Sequence, residues 1–287
     1  MCVEEIGKIV VVGAGTMGQG IAQACAQAGY DVILYDLNKR LIEGAFSTIE
    51  KNLSLAVNKG KLSEKHKQLT LSKINLVEQI ASLQCDLVIE AVIEKLEVKQ
   101  QLFSQLEELN SGNAILATNT SSLSVTQIAS VLKNPANCIG LHFFNPAYLM
   151  KLVEIIYTSS TDSGLITLLK KFSLSLDKTP VVAKDSPGFI VNRVARHFYI
   201  ESLKLLEENN SSVVTMDELL RSAGFKMGPF ELMDLIGIDI NFAVTSSVYE
   251  GFHQDPKFKP SFIQHQKVAA GHLGRKTGKG FYDYSKD

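Results

Sequence analysis

KIVVVGAGTMGQGIAQACAQAGYDVILYD, residues 8 to 36, is the stretch on which the fold turns. A β-branched run leads into Gly13-x-Gly15-x-x-Gly18, a small-residue amphipathic stretch ends near Gly29, and a second apolar run ends at Asp36. The order reads as strand, glycine turn, helix, strand. Each glycine meets a different steric demand: Gly13 the tight turn, Gly15 the approach of backbone to a pyrophosphate, Gly18 close packing of helix on strand. With Ala14, Thr16 and Met17 they make a loop that turns the amides and positive end of a helix toward a phosphate. Asp36, closing the second strand, accepts the hydroxyls of an adenosine ribose and repels a 2′-phosphate, so the expected cofactor is NAD. Lys39 and Arg40 close by leave some use of NADP open.

Outward from this unit, the runs INLV, DLVIEAV, AILATN, CIGLHFF, KLVEII and TPVVAK continue to alternate with amphipathic stretches. That alternation predicts an α/β, Rossmann-like, doubly wound and mostly parallel sheet over residues 1–185. Between DVILYD and INLV, residues 38–72 read as two helices that leave the sheet as a projecting arm. After Pro187-Gly188 the strand signal stops. A long helix over roughly 189–208, then TMDELLRSAG, PFELMDLIG through FAVTSSVYEGF, and SFIQHQKVAAG, predict an all-helical C-terminal domain over residues 186–287.

Composition narrows the function classes. The 287 residues are 45% hydrophobic and 21% charged, as in a globular protein, and a net charge of −1 gives no footprint for nucleic acid. No apolar run reaches the length of a membrane span. The stretch MCVEEIGKIVVVG carries two glutamates and leaves no room for a leader before the first strand, so a cytoplasmic location is expected. Cys2, Cys25, Cys85 and Cys138 lack metal-ligand spacing and read as buried structural thiols in a reducing compartment, and no metal is expected.

GLHFFNPAYLMKLVEII, residues 140–156, sets one histidine and one glutamate inside runs that otherwise read as buried strand. Burying an unpaired polar group costs roughly 2–7 kcal/mol, so each needs a partner. If LHFF and LVEII are adjacent strands joined by the NPAYLM loop, His142 and Glu154 face one another across the pair. A histidine, ionising near neutrality, can take and return the proton of an alcohol, and a carboxylate on its second nitrogen fixes the tautomer. The plainer alternative is a core histidine satisfied by a backbone carbonyl.

These stretches, together with NTSSLSVTQIA (119–129), DSPGFIVNR (185–193), FKMGPFELMDLIGID and LGRKTGKGFYDY (273–284), resemble the L-3-hydroxyacyl-CoA dehydrogenase family, particularly its bacterial 3-hydroxybutyryl-CoA members. The resemblance spans essentially the whole chain. It implies NAD-dependent, reversible oxidation of a short-chain (S)-3-hydroxyacyl-CoA to the 3-ketoacyl-CoA. By motif it assigns catalysis to His142, Glu154, Ser121 and Asn192. Further cofactor contacts fall on Glu94, Lys99, Asn145 and Lys276, and acyl-CoA contacts on Ser121, Lys51, Asn52 and Lys59.

Several of these positions have ordinary readings too. Ser121 lies in a segment that suits a helix N-cap, a duty open to Ser122 or Ser124. Glu94 and Lys99 fit a solvated helix face, and so do the arm lysines. Asn192 sits inside a helix, where asparagine is a mediocre former unless its amide is used; its amide could reach across an interdomain cleft to the substrate. His66, His253, His265 and His272 read as surface. His197 stands where similar sequences often carry proline, a departure that bears on the acyl pocket. Apolar faces in the second domain, and the family likeness, imply a homodimer. A 3-hydroxyadipyl-CoA or other 3-hydroxyacid dehydrogenase is the alternative reading, and a crystallin-like NAD-binding protein without activity a more distant one.

Overall fold

The computed structural model describes residues 6–285, which leaves Cys2 outside the described residues. Two compact units divide the chain, one ending at Asp185 and the other beginning at Ser186.

The first unit opens with β1 (Lys8–Val12), α1 (Thr16–Gln27) and β2 (Asp31–Tyr35), then α2 (Lys39–Asn58), α3 (Glu64–Ser72) and β3 (Ile74–Val77). It continues with β4 (Leu87–Glu90), α4 (Leu96–Leu109), β5 (Ile115–Thr118), α5 (Val125–Ala129) and β6 (Cys138–Phe143), and ends with β7 (Leu152–Tyr157), α6 (Ser163–Ser175) and β8 (Thr179–Lys184). All eight strands join one sheet in the order β3-β2-β1-β4-β5-β6-β7-β8. Every neighbouring pair is parallel except β6 with β7. The uniform apolarity of KIVVV, DLVIE and AILAT follows from this: a parallel strand covered on both faces has no wet side, and Ile9, Val10, Val11, Val88 and Ala117 are fully buried. β7 runs antiparallel because the segment 144–151 is too short to carry the crossover that a parallel return needs. The carboxyl ends of β1, β4, β5 and β6 share one edge, where open α/β sheets collect their ligands.

The excursion 38–72 does form two helices, but it is not a free-standing arm. Ile42, Ala45, Ile49 and Leu53 form an apolar stripe along α2 and enter the same core as Ile21, Ala22 and Cys25 of α1, with Leu62 and Leu71 packed alongside. Asn38 and Ser63 cap the two helices through hydrogen bonds to the amides of Arg40 and His66. Cys25 and Cys138 are buried and Cys85 half-buried, all three as free thiols that burial pushes up to about 12. Among the described residues no helix is long and apolar enough to cross a membrane.

The second unit is helical: α7 (Val191–Glu207), α8 (Val213–Ser222), α9 (Pro229–Ile236), α10 (Ile238–Gly251) and α11 (Phe262–Ala269). Its core gathers Tyr199, Leu203, Met216, Phe230, Met233 and Ile238. The exposed His197 leaves α7 uninterrupted, since it keeps the amide that proline lacks, and its ring lies 5.3 Å from that of Phe258. Leu219, Phe225, Ile240 and Phe262 remain at least half exposed. Two buried carboxylates fasten the unit. Asp217 accepts the amides of Phe230 and Glu231 at the start of α9, both at 3.0 Å, and the Tyr282 hydroxyl at 2.7 Å. Asp234 accepts the amides of Phe281 and Tyr282 and the hydroxyl of Tyr284.

Charge-assisted bonds of this kind are each worth about 1.5–3 kcal/mol, and an orphaned donor costs again. Asp217→Ala is therefore expected to lower unfolding free energy by about 2–4 kcal/mol. Urea denaturation of the purified variant measures this, and an unchanged midpoint would show that the cap is dispensable.

Candidate active site

The glycine turn shows its steric logic directly. Gly13 adopts φ +102°, and a Cβ there would lie 2.5 Å from the carbonyl oxygen of Ala91. A Cβ on Gly18 would lie 1.7 Å from the carbonyl oxygen of Gly13, so the helix can rest this close to the turn only on a glycine. Gly15 differs, since a Cβ there would have nothing within 4 Å. It opens onto space at the N-terminus of α1, where Thr16 and Met17 begin the helix and no acidic residue offsets the dipole. Asp36 lies just past the end of β2. Its Oδ2 accepts the amide of Ala14 at 2.8 Å and its Oδ1 that of Asn38 at 3.0 Å, which brings the carboxylate to the turn itself. A cavity of about 500 Å³ adjoins them, lined by Gly13, Gly15, Asp36, Leu37 and Val98 among others, with Leu37 92% exposed. Open backbone, a helix terminus, a ribose-seeking carboxylate and apolar walls fit an adenine dinucleotide.

Beyond β4 and β5 along the same edge, β6 and β7 put His142 directly opposite Glu154. Nδ1 of His142 lies 2.8 Å from Oε2 of Glu154, with His142 5% exposed and Glu154 fully buried. The partner of the imidazole at Nδ1 is thus a carboxylate. Such an acceptor keeps the proton of the neutral ring on Nδ1 and makes Nε2 the basic nitrogen. The Phe144 ring packs against the imidazole, with centroids 4.5 Å apart. Asn119, just past β5, accepts the amide of Phe143 through its Oδ1 at 2.8 Å and so ties the two strand ends together.

Between these two sites runs the loop that carries Ser121. Ser124 caps α5 by accepting the amide of Gln127, so the capping duty falls there and not on Ser121. The loop is gathered instead by Glu94. Its Oε1 accepts the Thr120 hydroxyl at 2.6 Å, the Ser121 amide at 2.9 Å and the Ser122 amide at 3.2 Å. Burial raises the affinity of the Glu94 carboxyl for its proton, but the Lys99 charge and the bonds from Thr120 and Ser121 outweigh it and hold the group below its ordinary range. The solvated-face reading of Lys99 fails, because its side chain points inward from α4 and is 1% exposed. Its Nζ lies 2.6 Å from Oε1 of Glu90 and 3.2 Å from Oε2 of Glu94.

Glu90 and Lys178 went unnoticed in the sequence. Glu90 carried the same signal as Glu154, one acid in an apolar run, but no family motif drew attention to it. Lys178, 5% exposed, donates to the carbonyls of Ala147 and Met150 at 2.7 and 2.9 Å, and so pins the loop after His142. Burial lowers its pKa.

The remaining positions are placed without being drawn into one cluster. Asn145 is exposed on the loop following β6. Lys51 and Lys59 are exposed, one on α2 and one at its end, while Asn52 donates to Gln23 of α1 at 3.3 Å. Asn192 and Lys276 belong to the second unit. Asn192 lies in the first turn of α7 rather than its interior, and its carbonyl accepts from Arg196 at 3.1 Å. Lys276 bonds to Asp239 at 2.7 Å. His66, His253 and His265 are exposed and His272 is half-buried. Among the described residues no group of three His, Cys, Asp or Glu side chains could hold a metal ion.

Comparison with known proteins agrees with this geometry. Residues 8–186 match the family described as 3-hydroxyacyl-CoA dehydrogenase, NAD binding domain, and residues 188–284 match the 3-hydroxyacyl-CoA dehydrogenase C-terminal domain. The chain is 46% identical to the 3-hydroxyadipyl-CoA dehydrogenase of Escherichia coli (strain K12), over 98% of its own length but only 59% of that protein's. It is 40% identical to the 3-hydroxybutyryl-CoA dehydrogenase of Clostridioides difficile, across 97% of this chain and 100% of the relative. The crystal structure of (S)-3-hydroxybutyryl-CoA dehydrogenase from Ralstonia eutropha superposes with a TM-score of 0.94 at 38% identity, covering 98% of this chain and 100% of that one. With both family domains present in sequence order, an NAD-binding unit followed by the helical one, the chain belongs to the 3-hydroxyacyl-CoA dehydrogenase family.

Proposed function

We propose that the chain catalyses the NAD-dependent, reversible oxidation of short-chain (S)-3-hydroxyacyl-CoA to 3-ketoacyl-CoA, with 3-hydroxybutyryl-CoA as the preferred substrate. The observation that carries this reading is the 2.8 Å pair of His142 and Glu154, both buried, on the sheet edge that also holds the glycine turn. Bound NAD supplies the acceptor for the hydride. His142 takes the hydroxyl proton at Nε2 during oxidation and returns it during reduction. Glu154 stabilises the imidazolium that forms, and does so strongly because the pair is removed from water. Ser121, on the loop gathered by Glu94, holds the substrate's 3-oxygen. Asn192, by family likeness, contributes an amide to the substrate.

Retention of a paired base and acid, where packing alone would favour apolar residues, supports catalysis over a purely structural role. The second reading, a 3-hydroxyadipyl-CoA dehydrogenase, draws on the 46% identity to the Escherichia coli relative of that name. For CoA, the exposed ammonium groups of Lys51 and Lys59 and the half-buried Asn52 amide offer donors to the 3′-phosphate and pyrophosphate.

Removing a positioned general base costs about 10²–10⁴-fold, so His142→Gln is expected to lower kcat for acetoacetyl-CoA reduction by that factor while NADH binding and circular dichroism stay unchanged. A fully active variant would remove the assignment. With the native enzyme, kcat/KM is expected to be higher for acetoacetyl-CoA than for 3-oxoadipyl-CoA, and the opposite order moves the assignment to the second reading. The double variant Lys51→Ala, Lys59→Ala is expected to raise KM for acetoacetyl-CoA about 3- to 30-fold, as two exposed ion pairs of about 0.3–1 kcal/mol each would give. KM for NADH should not move; a change in that constant alone refutes the CoA role.

A further inference from the structure

Glu90 closes β4 with no exposed surface, yet the proton transfer described above makes no use of it. Its Oε1 accepts from Lys99 Nζ at 2.6 Å and from the Val92 amide at 2.8 Å, and its Oε2 accepts from the Thr118 hydroxyl at 2.7 Å. A carboxylate so deeply buried is tolerable only when paired and hydrogen-bonded in this way. The bonding does not stop at Lys99. The same ammonium lies 3.2 Å from Oε2 of Glu94, whose other oxygen collects the Thr120 hydroxyl and the amides of Ser121 and Ser122. One line of charged bonds therefore runs from inside the sheet to the loop at its edge.

Two anions share one cation, and the sharing fixes where each stands. Lys99 is closer to Glu90 than to Glu94, 2.6 against 3.2 Å, so the inner carboxylate anchors the ammonium and the outer one leans on it. With Glu90 neutralised, a buried ammonium has one remaining carboxylate and moves toward it. Glu94 then shifts, and the loop follows, because five donors from residues 120–122, the hydroxyl of Ser121 among them, converge on a single oxygen of Glu94.

We propose that Glu90 is a positioning residue for the reaction: through Lys99 it fixes Glu94, and through Glu94 it sets the 120–122 loop that presents Ser121. The inference rests on the reading of Ser121 as the hydroxyl that meets the substrate. A carboxylate that only neutralised Lys99 would support the fold and leave the loop's geometry to other contacts. The two roles separate in a double-mutant cycle.

The experiment compares Glu90→Gln, Ser121→Ala and the double variant by steady-state reduction of acetoacetyl-CoA, with thermal denaturation alongside. A displacement of about 1 Å at a reacting group costs on the order of 10²-fold, so Glu90→Gln is expected to lower kcat about 10- to 100-fold. KM for acetoacetyl-CoA should stay within about twofold, because the Lys51 and Lys59 ammonium groups proposed to hold CoA are untouched, so the loss falls on kcat. In the Ser121→Ala background the added loss should shrink to about twofold or less, since the two residues act on one contact. An impaired Ser121→Ala onto which Glu90→Gln multiplies its full loss overturns the positioning role alone, as does a fully active Glu90→Gln. Full activity in Ser121→Ala removes the reading of Ser121, and the proposal falls with it. If Glu90→Gln does not fold, Glu90→Asp, which keeps the charge that neutralises Lys99 but draws it back by one methylene, takes its place in the cycle: a kcat loss that vanishes in the Ser121→Ala background is expected, and an independent or absent loss overturns the proposal.

Discussion

The pairing of β6 with β7 is the constraint on which the rest of the site depends. His142 and Glu154 occupy opposed positions in that ladder, and side chains alternate faces along a strand, so a slip of one residue would send one partner to the far side of the sheet. Nothing in the two side chains alone prevents this. The register is held by what flanks it: Asn119 fastened to the Phe143 amide on one side, and Lys178 gripping the carbonyls of the connecting loop on the other. The sheet is parallel elsewhere, and its one reversal of direction puts an acid beside a histidine in a place that water barely reaches.

The same economy recurs through the chain. Its deepest charges hold backbone or one another in place: Glu90 with Lys99 and Thr118, Glu107 with the amides of Lys133 and Asn134, Asp217 and Asp234 with helix start and chain end. Each offsets the entropy cost of ordering the segment it holds and selects one arrangement of it, because a bond to a fixed amide has direction and hydrophobic contact has none. In the first unit these clamps stand at both edges of the sheet, Glu90 at the carboxyl end of β4 and Glu107 clamping the segment that leads into β6, where irregular stretches must keep a fixed shape without the support of a ladder.

Much of this was legible in the sequence. All eight strands could be read because buried parallel strands are almost uniformly β-branched, and the facing of His142 and Glu154 followed from a twelve-residue spacing across a short loop. The glycine turn was legible because each of its residues answers a separate steric demand. What was missed depends on partners distant in the chain. Glu90 meets Thr118 across 28 residues, and Lys178 meets Ala147 across 31, so no local pattern marks either contact. The two-helix excursion was read from the long interval between two strands as an arm standing away from the sheet. The stripe Ile42, Ala45, Ile49 and Leu53 was visible, but the surface it covers, the outer face of α1, is a property of the fold.

The glycine turn also separates two kinds of failure. At position 18 an added methyl meets the chain's own backbone, and at position 15 it meets only emptiness that a ligand would fill. Folding and cofactor capture are therefore one requirement at the first position and two at the second. A lineage drifting toward a non-catalytic role could lose Gly15 and keep a sound protein, whereas Gly18 would persist for as long as the sheet itself did.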